Sequence, residues 1–168
     1  MNSLDGLSPF FRDKVEALAA KLAEIKDFPH VAWTHGIRSF ADQDALWEIG
    51  RSIQNPRNAT PEKPMGEIVT NAKGGESWHN YGLAVDGALK IGRQALWDFN
   101  LPYWRAYGVT AISSGFEWGG MWPGKKADHP HIQLRGGLTI VQAKDIFDVS
   151  GIDGVWSAVL KGYAQEVR

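Results

Sequence analysis

At 168 residues the chain is about one domain's worth, long enough to bury a sizeable core without disulfide or metal staples. Its 18 basic and 19 acidic side chains leave a formal charge of -1, so no global field draws in nucleic acid or an anionic membrane, and 43% hydrophobic with 22% charged residues excludes a disordered or fibrous class. The absence of cysteine excludes disulfides, thiolate nucleophiles, iron–sulfur ligation and cysteine-type zinc sites together.

The opening MNSLDGLSPFFRDK has an acid and a helix start where a secretory signal needs a basic patch and an apolar run, and no stretch approaches the roughly 20 apolar residues of a membrane span. Synthesis in the cytoplasm is the expectation. Ser8-Pro9 opens a helix, with the serine hydroxyl free to cap and proline at the first helical position. Phe11, Val15, Leu18, Leu22 and Ile25 recur at helical spacing and carry it from Pro9 to about Glu24, before Asp27-Phe28-Pro29 ends it. His30-Val31-Ala32-Trp33 is a short β-prone run leading into Gly36, Ile37 and Arg38. Ser39 and Asp42 have capping-box spacing, and Ala41 to Arg51 reads as a second helix with Leu46, Trp47 and Ile49 inward.

Residues 52–66, with three prolines and almost no apolar content, read as a surface loop joining two halves of one domain. Ile68-Val69-Thr70 has the look of a short strand, Gly74-Gly75 of a turn, and Leu83-Ala84-Val85-Asp86 of a second strand. Between Gln94 and Ser114 a helical face of Trp97, Leu101, Trp104, Tyr107 and Ala111 competes with Pro102, which favours a start near Leu101, and with Gly108, which weakens the middle. Gly115 would cap it. His131-Ile132-Gln133-Leu134 alternates as a half-buried strand. Thr139 and Gln142 box the start of a short helix to about Phe147, and Val155 to Tyr163 forms a last amphipathic helix. Helices at both ends around a few short strands give an α+β class; the strands are too few for a barrel and lack βαβ alternation.

Three of the five histidines fall in two segments, GESWHNYGLAVD from Gly75 to Asp86 and DHPH from Asp128 to His131. A divalent metal needs neutral imidazoles and ionised carboxylates converging from separate strands, and His79, Asp86 and His131 make such an N₂O set. Three protein donors with one open position is the catalytic zinc arrangement. His79 and Asp86 are seven apart, so a regular strand would separate them, and Asn80-Tyr81-Gly82 supplies the bend that unites them. Asp86-Gly87 suits a turn at the strand end. In the second segment either His129 or His131 serves as donor on residue type alone, and a turn at Asp128 would bring that carboxylate beside the metal without making it a ligand. Trp78, Trp118 and Trp122 could wall a cleft or pack the core, Glu117 could accept a hydrogen bond from a ligand or face water, and His35 could line a cleft.

These residues carry a resemblance. SWHNYGLAVD, EWGGMW and DHPHIQ, with GIRSFADQ from Gly36 to Gln43 and IVTNAK before the first histidine, resemble the zinc peptidases that cut bonds involving D-amino acids in bacterial cell-wall peptides. Within them the chain is most similar to the L-alanyl-D-glutamate peptidase branch found among phage endolysins, over about Val31 to Leu134 and again at Gly151 to Trp156. The resemblance implies a small antiparallel sheet carrying one zinc ion and packed with helices, of the Hedgehog/DD-peptidase type, with the whole of 1–168 as one catalytic domain. It implies His79, Asp86 and His131 as zinc ligands, Asp128 as general base, Arg38 as the group facing the oxyanion, and Ser77 and Gln43 as support. The chain departs from the usual pattern at Met121, where an acidic residue is common, and at Gly87 and Ile132.

The implied reaction is hydrolysis of peptidoglycan stem peptide between L-alanine and D-glutamate by a monomer, with neither nucleic acid nor stable membrane association. The enzyme would meet the wall through a membrane lesion made by another protein. The rival expectations are a D-Ala-D-Ala carboxypeptidase or dipeptidase of the same family, and a non-catalytic zinc-containing module that binds wall peptide.

Overall fold

A computed structural model describes residues 3–166. Helix α1 (Pro9–Ala23) buries Phe11, Val15, Leu18 and Leu22, the stripe its period predicts. Ile25 lies beyond the last helical turn and is exposed, off the face that periodicity gave it. Ser8 precedes the helix without capping it through its hydroxyl; it is buried, and its N–H donates to Gly82 O at 2.9 Å. The start of α1 is thereby docked on a distant turn.

Strand β1 (His30–His35) pairs antiparallel with β2 (Ala84–Ile91). On its other edge β2 pairs with β3 (Gln94–Ala95) near one end and with β5 (His131–Gln133) near the other, and β5 pairs with β4 (Glu117–Trp118). The resulting order is β1-β2-β5-β4, antiparallel throughout. β2 therefore runs well past the turn expected at Asp86-Gly87. Gly87 lies within the strand because a Cβ there would sit 3.0 Å from the Trp33 ring and 3.1 Å from Val31, so it serves close packing rather than chain reversal. β5 is buried on both faces, not half-buried: Ile132 joins the core on one face, and on the other His131 packs against the rings of His79 and Trp122.

Helix α2 (Phe40–Glu48) opens on Ser39, whose hydroxyl accepts from Asp42 N at 3.0 Å. Its one fully buried side chain is Gln43; Leu46, Trp47 and Ile49 are half-buried, because the Trp47 ring lies between Arg51 at 4.2 Å and Lys73 at 4.5 Å. Residues 52–66 form the expected loop, built around buried Asn55, whose Nδ2 donates to Glu67 O. No strand forms at Ile68-Val69-Thr70. Its backbone bonds go to scattered partners, Val69 N–H donating to Ile49 O and Thr70 O accepting from Arg51, and Ile68 and Val69 stay exposed.

Helix α3 (Pro102–Ser113) begins at its proline, and Trp97, outside it, stacks on Trp104. Helix α4 (Ile140–Glu166) starts at the Thr139–Gln142 box and is broken at Gly151, which has φ 65° and ψ -167°, giving the two helical pieces the sequence predicts. The core joins α1, α3, the inner face of the sheet and both pieces of α4.

Gly108 of α3 has a packing reason: a Cβ there would lie 2.2 Å from the Trp118 ring. Helix propensity favours alanine over glycine by about 1 kcal/mol, but an immovable indole turns the balance, and Gly108→Ala should lose about 1–3 kcal/mol net. Urea unfolding checks this; a midpoint at or above wild type would mean the ring yields freely.

Candidate metal centre and active site

The first donor arrives on a single 3₁₀ turn, Trp78–Tyr81. Asn80 organises it: Oδ1 accepts from Gly75 N at 3.0 Å and Ser77 N at 3.3 Å, while Nδ2 donates to Arg38 O at 3.0 Å. Gly82 closes the turn at φ 62°, a conformation favouring glycine, in a place where a Cβ would meet Gly6 O at 2.7 Å. This is the expected bend between His79 and Asp86. The turn is held from the far side as well, by Trp156 Nε1–H donating to Tyr81 O at 2.7 Å and by Phe40 and Phe147 against the Tyr81 ring.

Asp86 lies on β2 directly opposite His131 of β5. His131 Nδ1 is 3.0 Å from Asp86 Oδ1, His79 Nε2 is 3.4 Å from the same oxygen, and the two imidazole nitrogens are 3.3 Å apart. Donors placed tetrahedrally at about 2.0–2.1 Å from zinc stand about 3.3–3.4 Å from one another, so the three atoms already have nearly the spacing one ion requires. Two nitrogens and a carboxylate oxygen suit zinc chemically, and both histidines are buried with Asp86 half-buried. The cluster can hold a single divalent ion, and its composition fits zinc.

The outer nitrogens are also engaged. His79 Nδ1–H donates to Gly36 O at 2.7 Å, and His131 Nε2–H donates to Gln133 Oε1 at 2.9 Å. Burial works to raise the Asp86 carboxyl, but hydrogen bonds and charge from His131 and His79 outweigh it and hold the group below the carboxylate range. Burial works to lower His131, yet Asp86, Gln133 and Asp128 together raise it.

The DHPH turn assigns its histidines different tasks. His129 stacks on Phe99 at 4.5 Å and 7° and stays outside the cluster, which leaves His131 as the donor. Asp128 is exposed as a whole residue, with its N–H donating to Gly119 O and its carbonyl accepting from His131 N; the protein packed around its carboxyl still removes part of that group's hydration, and this desolvation together with the Asp86 charge pushes its pKa up.

Arg38 is half-buried, and burial lowers its guanidinium pKa against the pull of Asp86 and Asp42. Arg38 Nη1 donates to Gln43 Oε1 at 2.8 Å, and Gln43 Nε2 in turn donates to Ala72 O at 2.8 Å. Ser77 sits in extended backbone at the entrance to the His79 turn. Trp118 is buried, its Nε1–H donating to His129 O at 2.8 Å. Trp122 is half-buried with its ring 5.1 Å from that of His131, and its indole N–H donates to Glu117 Oε1 at 2.9 Å. Glu117 also pairs with Arg135, so its oxygens serve Trp122 and Arg135 rather than a donor histidine. Met121 projects from the same segment, largely exposed.

Sequence reasoning overlooked Gln133 and gave Asn80 only as part of the bend; His35, expected to line a cleft, places its Nδ1 3.7 Å from Asp86 Oδ2. A signal existed for Gln133, since residues two apart on a strand share a face and it follows His131 at that interval.

Comparison with known proteins agrees with this centre. The family pattern described as D-alanyl-D-alanine carboxypeptidase matches residues 70–134, which contain all three donors. The peptidoglycan L-alanyl-D-glutamate endopeptidase CwlK of Bacillus subtilis (strain 168) is 38% identical over 136 residues, 76% of this chain and 73% of the relative. The crystal structure of the Serratia marcescens L-Ala D-Glu endopeptidase ChiX superposes with a TM-score of 0.52 at 23% identity, over 78% of this chain and 82% of that one, and shares its fold. With CwlK alike over most of both lengths and the donor cluster inside the matched segment, the chain belongs to the M15 family of zinc peptidases.

Proposed function

We propose that this chain is a zinc-dependent endopeptidase that hydrolyses the bond between L-alanine and D-glutamate in the stem peptide of bacterial peptidoglycan. The observation that carries the reading is the His79–Asp86–His131 centre in a chain 38% identical to an enzyme named for that bond. Bound at these donors, zinc supplies Lewis-acid polarisation of the scissile carbonyl. Asp128 takes the proton of the attacking water and delivers it to the leaving amine. Its support is its place beside the centre, bonded through its backbone to His131, while contributing no donor to the cluster.

Arg38 meets the negative charge that develops on the carbonyl oxygen, a role that acts mainly in the transition state. One arm of its guanidinium is fixed by buried Gln43, which makes Gln43 part of its support. Ser77 leads into the His79 turn, Trp122 walls the cleft beside His131 with Glu117 holding its indole, and Trp118 backs the DHPH turn. The whole of 1–168 acts as one catalytic unit; α1 and α4 contribute to the same core as the sheet that bears the donors.

An endolysin role is our reading of its biology: made in the cytoplasm, the enzyme meets the wall after another protein breaches the membrane. Among the described residues no helix is long and apolar enough to cross a membrane. A carboxypeptidase reading has one observation in its favour, the description of the family pattern over residues 70–134.

Digestion of purified peptidoglycan with mass and end-group analysis separates these readings. The expected products are a new D-glutamate amino group and L-alanine left on the muramyl residue. Release of terminal D-alanine alone selects the carboxypeptidase, unchanged wall peptide at full zinc loading selects the non-catalytic module, and new reducing sugar ends without peptide cleavage refute the class.

A further inference from the structure

Each histidine of the centre has one ring nitrogen turned toward the donor cluster and one turned away, and both rings are buried. A neutral imidazole carries one proton and one lone pair on its nitrogens, so the partner of the outer nitrogen decides whether the inner one can bind a metal. At His79 that partner is a backbone carbonyl, Gly36 O. At His131 it is a side chain, Gln133 Oε1, 2.9 Å from Nε2.

We propose that Gln133 is a positioning residue for the metal centre, its side-chain carbonyl holding the His131 proton on Nε2 so that the Nδ1 lone pair stays available to the ion. The competing state is visible in the same geometry. His131 Nδ1 lies 3.0 Å from Asp86 Oδ1, so the other tautomer would donate an Nδ1–H to that oxygen. Such a bond would occupy two of the three donor atoms with each other and close the centre. An acceptor at Nε2 favours the open tautomer; without one, the Nε2–H would be buried without a partner and the closed tautomer would gain.

The fold makes this acceptor precise. Gln133 is buried and two residues from His131 on β5, hence on the same face, and its backbone is paired with Ala84 on one side and Glu117 on the other. As an amide it accepts without adding charge, so Asp86 remains the one anionic donor of the cluster. The inference holds whichever peptide bond the enzyme cuts.

The test uses the full chain with zinc alone as the probe. Competition against a chromogenic chelator should show Gln133→Leu, close in size but without an acceptor, binding zinc about 10–100-fold more weakly than wild type. Gln133→Glu, which keeps an oxygen in place, should recover most of that loss. A folded Gln133→Leu with wild-type zinc affinity overturns the proposal, as does a Gln133→Glu no better than the leucine variant. A further measurement does not depend on the variants folding: nitrogen-15 imidazole spectra of zinc-free wild type, where no ion dictates the tautomer, should show the neutral His131 ring protonated on Nε2. A proton found on Nδ1 overturns the proposal outright.

Discussion

His131→Ala is expected to take the protein from one zinc per chain to essentially none, and to remove peptidase activity with the metal. The side chain is buried, and its Nδ1 stands 3.0 Å and 3.3 Å from the other two donor atoms, so its loss leaves one nitrogen and one oxygen to hold the ion. Zinc sites in proteins use at least three protein donors, and an ion's Lewis acidity is worth several kcal/mol, or about 10³-fold in rate and upward. The backbone pairing of β5 with β2 and β4 does not involve the ring, so the circular dichroism of the variant should stay near that of wild type. Elemental analysis after exhaustive dialysis is the decisive measurement. Stoichiometric zinc retained by this variant would remove His131 from the ligand set.

Asp128→Ala should behave oppositely in one respect and alike in the other. It should keep its zinc, because Asp128 contributes no atom to the donor cluster, yet turn over about 10²–10⁴-fold more slowly, the range for losing a positioned acid–base group. Its backbone bonds to Gly119 and His131 survive the substitution, which isolates the carboxyl as the lost element. The pair of variants therefore separates holding the metal from moving the proton. Near-wild-type turnover by zinc-loaded Asp128→Ala would reject the role given to this residue.

What the chain declares about itself depends on whether a residue acts through its own kind or through its neighbours. α1 is legible because four buried side chains at helical spacing face a single core, and the metal centre because histidine is scarce in this chain and three of its five fall in two short segments, one of which bends His79 toward Asp86. Gly87 was misleading, since a glycine after an aspartate signals a turn, whereas its cause here is the Trp33 ring on the adjacent strand. Ile68-Val69-Thr70 has strand composition, but Arg51 satisfies Thr70 O and no neighbouring strand forms. Trp47 looked like core and is instead flanked by two cations. Gln133 carries no chemistry of its own in the sequence; it acquires a task only when β5 places it on the face of His131.

The His79 turn is fastened by residues remote in the chain on both sides. Ser8 donates to Gly82 O, and Trp156, 75 positions beyond Tyr81, donates to Tyr81 O. A segment latched by such distant contacts cannot open by local fraying, and contacts of that span form late, after their loop-closure entropy has been met. The amides of Asn80, Gly82 and Leu83, which donate to Ser77 O, His79 O and Trp78 O, should therefore exchange with solvent only as fast as the whole molecule unfolds. The position of the His79 donor is thus owed to topology, to contacts reaching it from both ends of the chain, rather than to its own short stretch of sequence.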